Sequence, residues 1–265
     1  NMMREKNIPL FALESREPIT NFDVIAFTLQ YELSYTNVLN MLNLAQIPLK
    51  SSDRENLTPL ICVGGPCACN PEPITDFVDI VFLGDGEETT NQVIDLLIDC
   101  KKKGLSKKEF LLKAKDITGI YVPSFYEDSY NEDGTLKELK PLYGAPEKVK
   151  KAVVSDMNKV FYPKEFVVPY INIVHDRAVE EIFRGCIRGC RFCQAGFIYR
   201  PIREKSVETI NKQSKALIDS TGYDELSLCS LSTSDHSDVN NMLTTLIDWT
   251  VKENINLSLP SLRVD

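Results

Sequence analysis

No apolar run in these 265 residues approaches the roughly 20 that a membrane-spanning helix needs. Nor does the N-terminus carry the charged, apolar and small-residue succession of a secretion signal, so the cytoplasm is the expected location. Positive charge is in deficit: 30 Lys and Arg stand against 38 Asp and Glu, a net charge of −8 with the two signs interleaved. That balance indicates neither a nucleic-acid nor a membrane partner. There is no internal repeat and no low-complexity tract. Without an export signal, the eight Cys do not read as a disulfide framework, because a reducing cytoplasm leaves thiols to bind metal, react or pack. With 43% hydrophobic and 26% charged residues, what is there is the mix of a globular chain of one large or two ordinary domains.

Apolar strand-like runs recur at Ile8 to Leu13, Val24 to Leu29, Leu60 to Val63 and Val78 to Leu83. Between them, Tyr35, Val38, Leu39, Leu42 and Ala45 share one helical face ended by Pro48, and a second helix over about Thr89 to Lys103 buries Val93, Leu96 and Leu97. Near-continuous apolar strands alternating with helices predict a parallel α/β layer over residues 1–120. Residues 121–170, rich in Pro, Tyr and charge, read as a hairpin, turning at Asn131 to Gly134, and a linker. The alternation resumes over 171–265 with a strand through Ile182 and Phe183, a Cys-rich loop, and a helix from Ser206 to Ser220 closed by Gly222. A strand at Leu226 to Leu231, a helix carrying Val239, Met242, Leu243, Leu246 and Ile247, and a third strand from Ile255 to Leu259 follow. Three strands in mid-alternation read as the first part of a larger barrel.

The loop Arg184-Gly185-Cys186-Ile187-Arg188-Gly189-Cys190-Arg191-Phe192-Cys193 places three thiols within eight residues, between a predicted strand and a predicted helix. Three thiolates can hold three irons of a cubane and leave the fourth open to a substrate, and glycines let backbone wrap a bulky cluster. Arg184, Arg188 and Arg191 would favour the thiolates and offset cluster charge. Core packing suits so polar a loop poorly. Structural zinc wants four ligands, commonly in two separated pairs, and no second pair stands at a matching spacing. A four-thiolate electron carrier would have only Cys229 downstream as its fourth ligand.

The pattern Cys186-x-x-x-Cys190-x-Phe192-Cys193 resembles the CxxxCx(aromatic)C signature of the radical S-adenosylmethionine superfamily. The resemblance implies a 4Fe-4S cluster on Cys186, Cys190 and Cys193 whose open iron chelates S-adenosylmethionine, with Phe192 packing near the adenine. It implies reductive cleavage to a 5'-deoxyadenosyl radical, which would make the chain part of an iron-sulfur enzyme of oxidoreductase type. The substrate is unknown, and the electron donor would be a protein such as flavodoxin or ferredoxin. Many members grip the methionine amino group with a Gly-Gly-Glu-like segment after the second strand; here that stretch is Ser230-Leu231-Ser232, whose hydroxyls can accept the same hydrogen bond. Ser258, Ser261 and Arg263 sit on the third strand, where Arg263 would pair with the methionine carboxylate. For each of these, a structural polar residue is the competing reading.

The segments Cys62-Val63-Gly64-Gly65-Pro66 and Val81-Phe82-Leu83-Gly84-Asp85-Gly86-Glu87-Glu88 resemble the Rossmann-like cobalamin-binding domain often fused before a radical domain, with strand-end glycines leaving room for a ligand. Members that ligate cobalt through histidine use Asp-x-His-x-x-Gly, and neither His175 nor His236 stands in such a motif. The domain would hold cobalamin without that ligand or serve as scaffold. From Phe11 to Asp265 the chain is similar to a family of fused cobalamin-type and radical domains, which implies a strand and helix before Asn1 and further barrel after Asp265. The fold class expected is thus an N-terminal Rossmann-like parallel sheet followed by the first part of a radical (βα) partial barrel. A non-catalytic iron-sulfur carrier, a partner-binding scaffold or a zinc-stabilised module are the competing functions. Cys62, Cys67 and Cys69 invite a second cluster, but Cys62 sits in an apolar strand and the two remaining thiols are too few for one, and Cys100 and Cys229 read as small core residues. His175-Asp176 reads as a surface pair.

Overall fold

The computed structural model describes residues 2–171 and 173–262 and divides into two compact units, Asn1–Val153 and Val154–Asp265. In the first, helix α1 (Met2–Glu5) precedes β1 (Val24–Thr28), α2 (Tyr35–Leu44), β2 (Leu60–Gly64), β3 (Ile80–Phe82), α3 (Thr89–Lys102), α4 (Lys107–Ala114) and β4 (Ile120–Tyr121). The sheet runs β1-β2-β3-β4, parallel through the first three strands and antiparallel at the last. Alternation along β2 shows why its sequence is apolar throughout. Ile61 and Val63 pack with Val38 and Leu42 of α2, whereas Leu60 and Cys62 pack with Val93 and Leu97 of α3 and Phe110 of α4. Both faces are covered, as a parallel layer requires.

Three details of this unit depart from expectation. The apolar run at Ile8 to Leu13 forms no strand and makes only a single bridge between Phe11 and Pro18, because no neighbouring strand offers it a ladder. Helix α4 is an addition, announced by a capping box in which the Ser106 hydroxyl accepts from the Glu109 N–H and Glu109 accepts from the Ser106 N–H. The strand-end glycines do not open a ligand space at Gly65 and Gly84. Gly65 has φ +96° and a Cβ there would stand 2.9 Å from the Leu29 carbonyl oxygen; at Gly84, also φ +96°, it would stand 2.1 Å from that of Ala152. The chain around Ala152 returns along β3, with the Ala152 N–H donating to Leu83 and the Asp85 N–H to Ala152. Close backbone packing within the unit therefore accounts for both glycines.

The Pro- and Tyr-rich stretch forms a hairpin, β5 (Tyr126–Tyr130) and β6 (Leu136–Pro141), closed by the turn at Asn131 to Gly134. Beneath the amino ends of β2 and β3, Asp79 accepts from the Arg54 guanidinium at 2.9 Å, from Lys107 at 2.6 Å and from the Ile61 N–H at 2.7 Å.

The second unit contains β7 (Ala178–Glu181), β8 (Phe183–Arg184), α5 (Ala195–Ile198), β9 (Arg203–Glu204), α6 (Val207–Thr221), β10 (Glu225–Cys229), α7 (Val239–Thr250) and β11 (Asn256–Ser258). Its sheet runs β11-β10-β7, all parallel, with β8 and β9 paired separately as an antiparallel ribbon. Helix α6 begins at Ser206, whose hydroxyl accepts from the Thr209 N–H, and ends at Gly222 in the left-handed region. Ala178, Leu226 and Leu228 pack against Ile210 and Leu217 of α6 and Met242 and Leu246 of α7. On the helix side of β7, buried Glu180 pairs with buried Lys205 at 2.8 Å, and Lys205 also donates to Gln213. No helix among the described residues is long and apolar enough to cross a membrane.

Candidate functional site

The cysteine loop leaves β8 through Gly185, and the fold dictates that residue. Its φ is +94°, and a Cβ would lie 2.7 Å from the Pro201 carbonyl oxygen and 2.9 Å from both Ile202 Cα and the Tyr199 carbonyl oxygen. The chain thus turns sharply against the segment that returns to β9. Cys186, Cys190 and Cys193 follow, all half-buried and none in a disulfide, before α5 begins at Ala195. A turn joins the last two, with the Cys193 N–H donating to the Cys190 carbonyl at 3.0 Å. The Arg188 N–H donates to Cys186 Sγ at 3.4 Å.

Among the described residues no three His, Cys, Asp or Glu side chains are grouped as a site for one metal ion. A cubane makes a different demand, because each thiolate binds its own iron and the sulfurs surround the cluster rather than converge on one point. Three partly accessible, unbridged thiols in a single loop, anchored by a glycine with no room for a side chain, fit that donor set.

Two of the three loop arginines are engaged by carboxylates. Arg184 donates Nε and Nη2 to the two carboxylate oxygens of Glu181 on β7, at 2.8 and 3.0 Å. Arg188 forms a fork on Asp235, Nε to Oδ2 at 2.9 Å and Nη2 to Oδ1. The offset of cluster charge expected of these arginines is shared with two acids that nothing in the local sequence pattern singled out. Phe192 stands in the loop with its ring 93% exposed, held by no core contact.

Of the remaining expected residues, Ser230 and Ser232 follow β10, Ser258 is the last residue of β11 and Ser261 follows it. The Ser230 hydroxyl is 3.1 Å from that of Thr233. Ser232 is buried and its hydroxyl has no hydrogen-bond partner among the described residues, so a ligand acceptor or donor can be matched to it. Ser258 pairs in register with Ser227 on the neighbouring strand, which puts both on one side of the sheet. The Ser261 carbonyl accepts from the buried Thr233 N–H at 2.7 Å. Arg263 lies outside the described residues. Cys229 is exposed at the last position of β10, in register with Glu181, and is not the small core residue expected; Cys100 and Cys62 are buried in the first unit. Although the residue is exposed, partial desolvation by neighbouring atoms and then the Glu181 carboxylate push the Cys229 thiol up from its ordinary value. His175 precedes β7 and meets Arg177 at 3.3 Å, whereas His236 is buried, with Nδ1 accepting from the Asp238 N–H and Nε2 against the Lys205 carbonyl.

Residues 1–123 match the family described as radical SAM proteins, N-terminal. An uncharacterised protein of Methanocaldococcus jannaschii is 26% identical over 272 residues, an alignment covering 99% of this chain and 49% of the relative. The chain spans about half the length of that relative. Among solved structures, the cobalamin-dependent S-adenosylmethionine radical enzyme OxsB, with aqua-cobalamin and S-adenosylmethionine bound, superposes with a TM-score of 0.54 at 17% identity, covering 89% of this chain and 30% of that one. The radical S-adenosylmethionine methyltransferase TsrM from Kitasatospora setae, with cobalamin and a [4Fe-4S] cluster bound, gives 0.54 at 10% identity, covering 88% of this chain and 43% of that one. At these identities the superpositions establish a shared architecture, and residues 1–123 carry the match to the N-terminal family of radical SAM proteins.

Proposed function

We propose that the chain is the cluster-bearing part of a radical S-adenosylmethionine enzyme, with Cys186, Cys190 and Cys193 as ligands of a 4Fe-4S cluster. The observation that carries this reading is the placement of three half-buried, unbridged thiols in one loop between β8, just after the first strand of the parallel sheet, and α5. Such a cluster, when bound, supplies the single electron that cleaves S-adenosylmethionine to methionine and a 5'-deoxyadenosyl radical.

The chain's own residues bind and orient. Gly185 fixes where the loop departs from the sheet, and the Arg188 N–H donates to the Cys186 sulfur. Phe192, exposed on the same loop, offers a ring face to an adenine, while the Ser232 hydroxyl, without a partner among the described residues, and Ser230 offer hydrogen bonds to the methionine end. Ser258, Ser261 and Arg263 complete the proposed set. For cobalamin the first unit does not fit histidine ligation, because both His of the chain belong to the second unit and Gly65 and Gly84 are closed by the chain's own backbone. No step is therefore routed through cobalamin, and the first unit acts as a scaffold in this reading.

Anaerobic reconstitution of the chain with iron and sulfide, followed by S-adenosylmethionine and a one-electron reductant such as dithionite, tests the assignment. Wild type should release 5'-deoxyadenosine, and the Cys186→Ala, Cys190→Ala, Cys193→Ala triple variant should not. A reconstituted cluster that cycles between oxidation states with no 5'-deoxyadenosine would favour an iron-sulfur electron carrier. Stoichiometric zinc in a colourless protein would favour a structural module.

A further inference from the structure

We propose that Asp235 is a positioning residue of the cysteine site, acting through Arg188 to hold the loop against the segments that follow β10 and β11 and to offset charge beside Cys186. The inference rests on the cluster reading above.

Arg188 lies midway between Cys186 and Cys190, and its backbone N–H is the donor to Cys186 Sγ. Its guanidinium grips both oxygens of Asp235, 47 residues away, whose side chain is only 5% exposed. The Arg184 to Glu181 fork is local, three residues apart, and does not reach the segments that follow β10 and β11. Asp235 can. It closes the short helical turn Thr233–Asp235, its N–H donates to the Ser232 carbonyl at 2.9 Å, and the first residue of the turn reaches both Ser230 Oγ and the Ser261 carbonyl. Hydrogen bonds joined by short stretches of chain therefore connect the Cys186 sulfur through Arg188 and Asp235 to the serines that follow β10 and β11. Both ends of the proposed site are registered against each other by one charged pair. The fork's two parallel bonds fix angle as well as distance, which a single contact between flexible side chains would not.

The pair also sets charge. Arg188 puts a cation in the loop that carries the three cysteines, and Asp235 cancels much of its field. Loss of either partner changes the local potential in opposite senses, whereas a purely structural contact would give both losses the same signature.

The test compares wild type with Asp235→Asn, Asp235→Glu and Arg188→Gln in the anaerobically reconstituted chain, reading the cluster midpoint potential by redox titration. In the metal-free chain, the rate of Cys186 alkylation by iodoacetamide is read by mass spectrometry. Asp235→Asn should raise the potential, Arg188→Gln should lower it, and both should speed alkylation by about tenfold, the release expected from losing one charge-assisted contact. Asp235→Glu should stay near wild type in both readouts. A wild type that takes up iron, with variants that share its potential and its alkylation rate, overturns the positioning role alone. A wild type that takes up no iron overturns the cluster reading and this inference with it.

Discussion

Replacing Gly185 by alanine tests how the fold constrains the cysteine loop, because Gly189 in the same loop provides a matched control. At Gly185 the backbone sits at φ +94°, where an L side chain is strained by about 1–3 kcal/mol. The new Cβ would also stand 2.7 Å from the Pro201 carbonyl oxygen, so the strand returning to β9 must shift, an overpacking cost of about 1–3 kcal/mol. The two effects overlap if one backbone movement relieves both, and a net loss of about 3 kcal/mol is expected. Gly189 has no heavy atom within 4 Å of a built Cβ, so Gly189→Ala should stay within about 0.5 kcal/mol of wild type. The readout is urea unfolding followed by fluorescence of Trp249. It is the chain's one tryptophan, lies in the second unit and donates to Asn211 at 2.8 Å. With a slope of about 1–3 kcal/mol per M, the Gly185→Ala midpoint should fall by roughly 1–3 M, and iron uptake should fall with it. Coincident unfolding midpoints for the two alanine variants would refute the argument that this glycine is required by close approach.

Three further outcomes are expected. Burial holds the Glu180 carboxyl up at about 7 against the pull of Lys205, so in the folded chain it keeps its proton over a range where the unfolded chain has lost it. Its stabilising share is full below the ordinary glutamate range and is lost as pH rises through about 7; Glu180→Gln should flatten that part of a stability-against-pH curve. In the first unit, Asp79→Ala leaves Arg54 and Lys107 buried together without their carboxylate, and thermal unfolding by circular dichroism should show a loss of about 3–5 kcal/mol. Phe192→Ala removes a ring that is 93% exposed, so the urea midpoint should hold while the proposed affinity for S-adenosylmethionine, measured by calorimetry on the loaded protein, falls about fivefold to tenfold.

Features written in neighbouring residues were legible before any coordinates. The Ser206 and Gly222 caps bound α6, the turn at Asn131 to Gly134 makes the hairpin, and three thiols spaced within eight residues mark one loop. The Ser106 to Glu109 capping box was equally local and would have revealed α4. Near-continuous apolar strands also announced a sheet covered on both faces, since β2 must fill two cores at once. What folding alone settled are relations between residues far apart in the chain. The antiparallel direction of β4, the return of Ala152 along Gly84, the Arg54, Asp79 and Lys107 cluster, and the Arg188 to Asp235 fork across 47 residues have no periodic or spacing signature. An isolated aspartate reads the same in sequence whether it faces water or clamps a cysteine loop. Its role follows from which backbone segments the two-sided packing of a parallel sheet brings to the same edge.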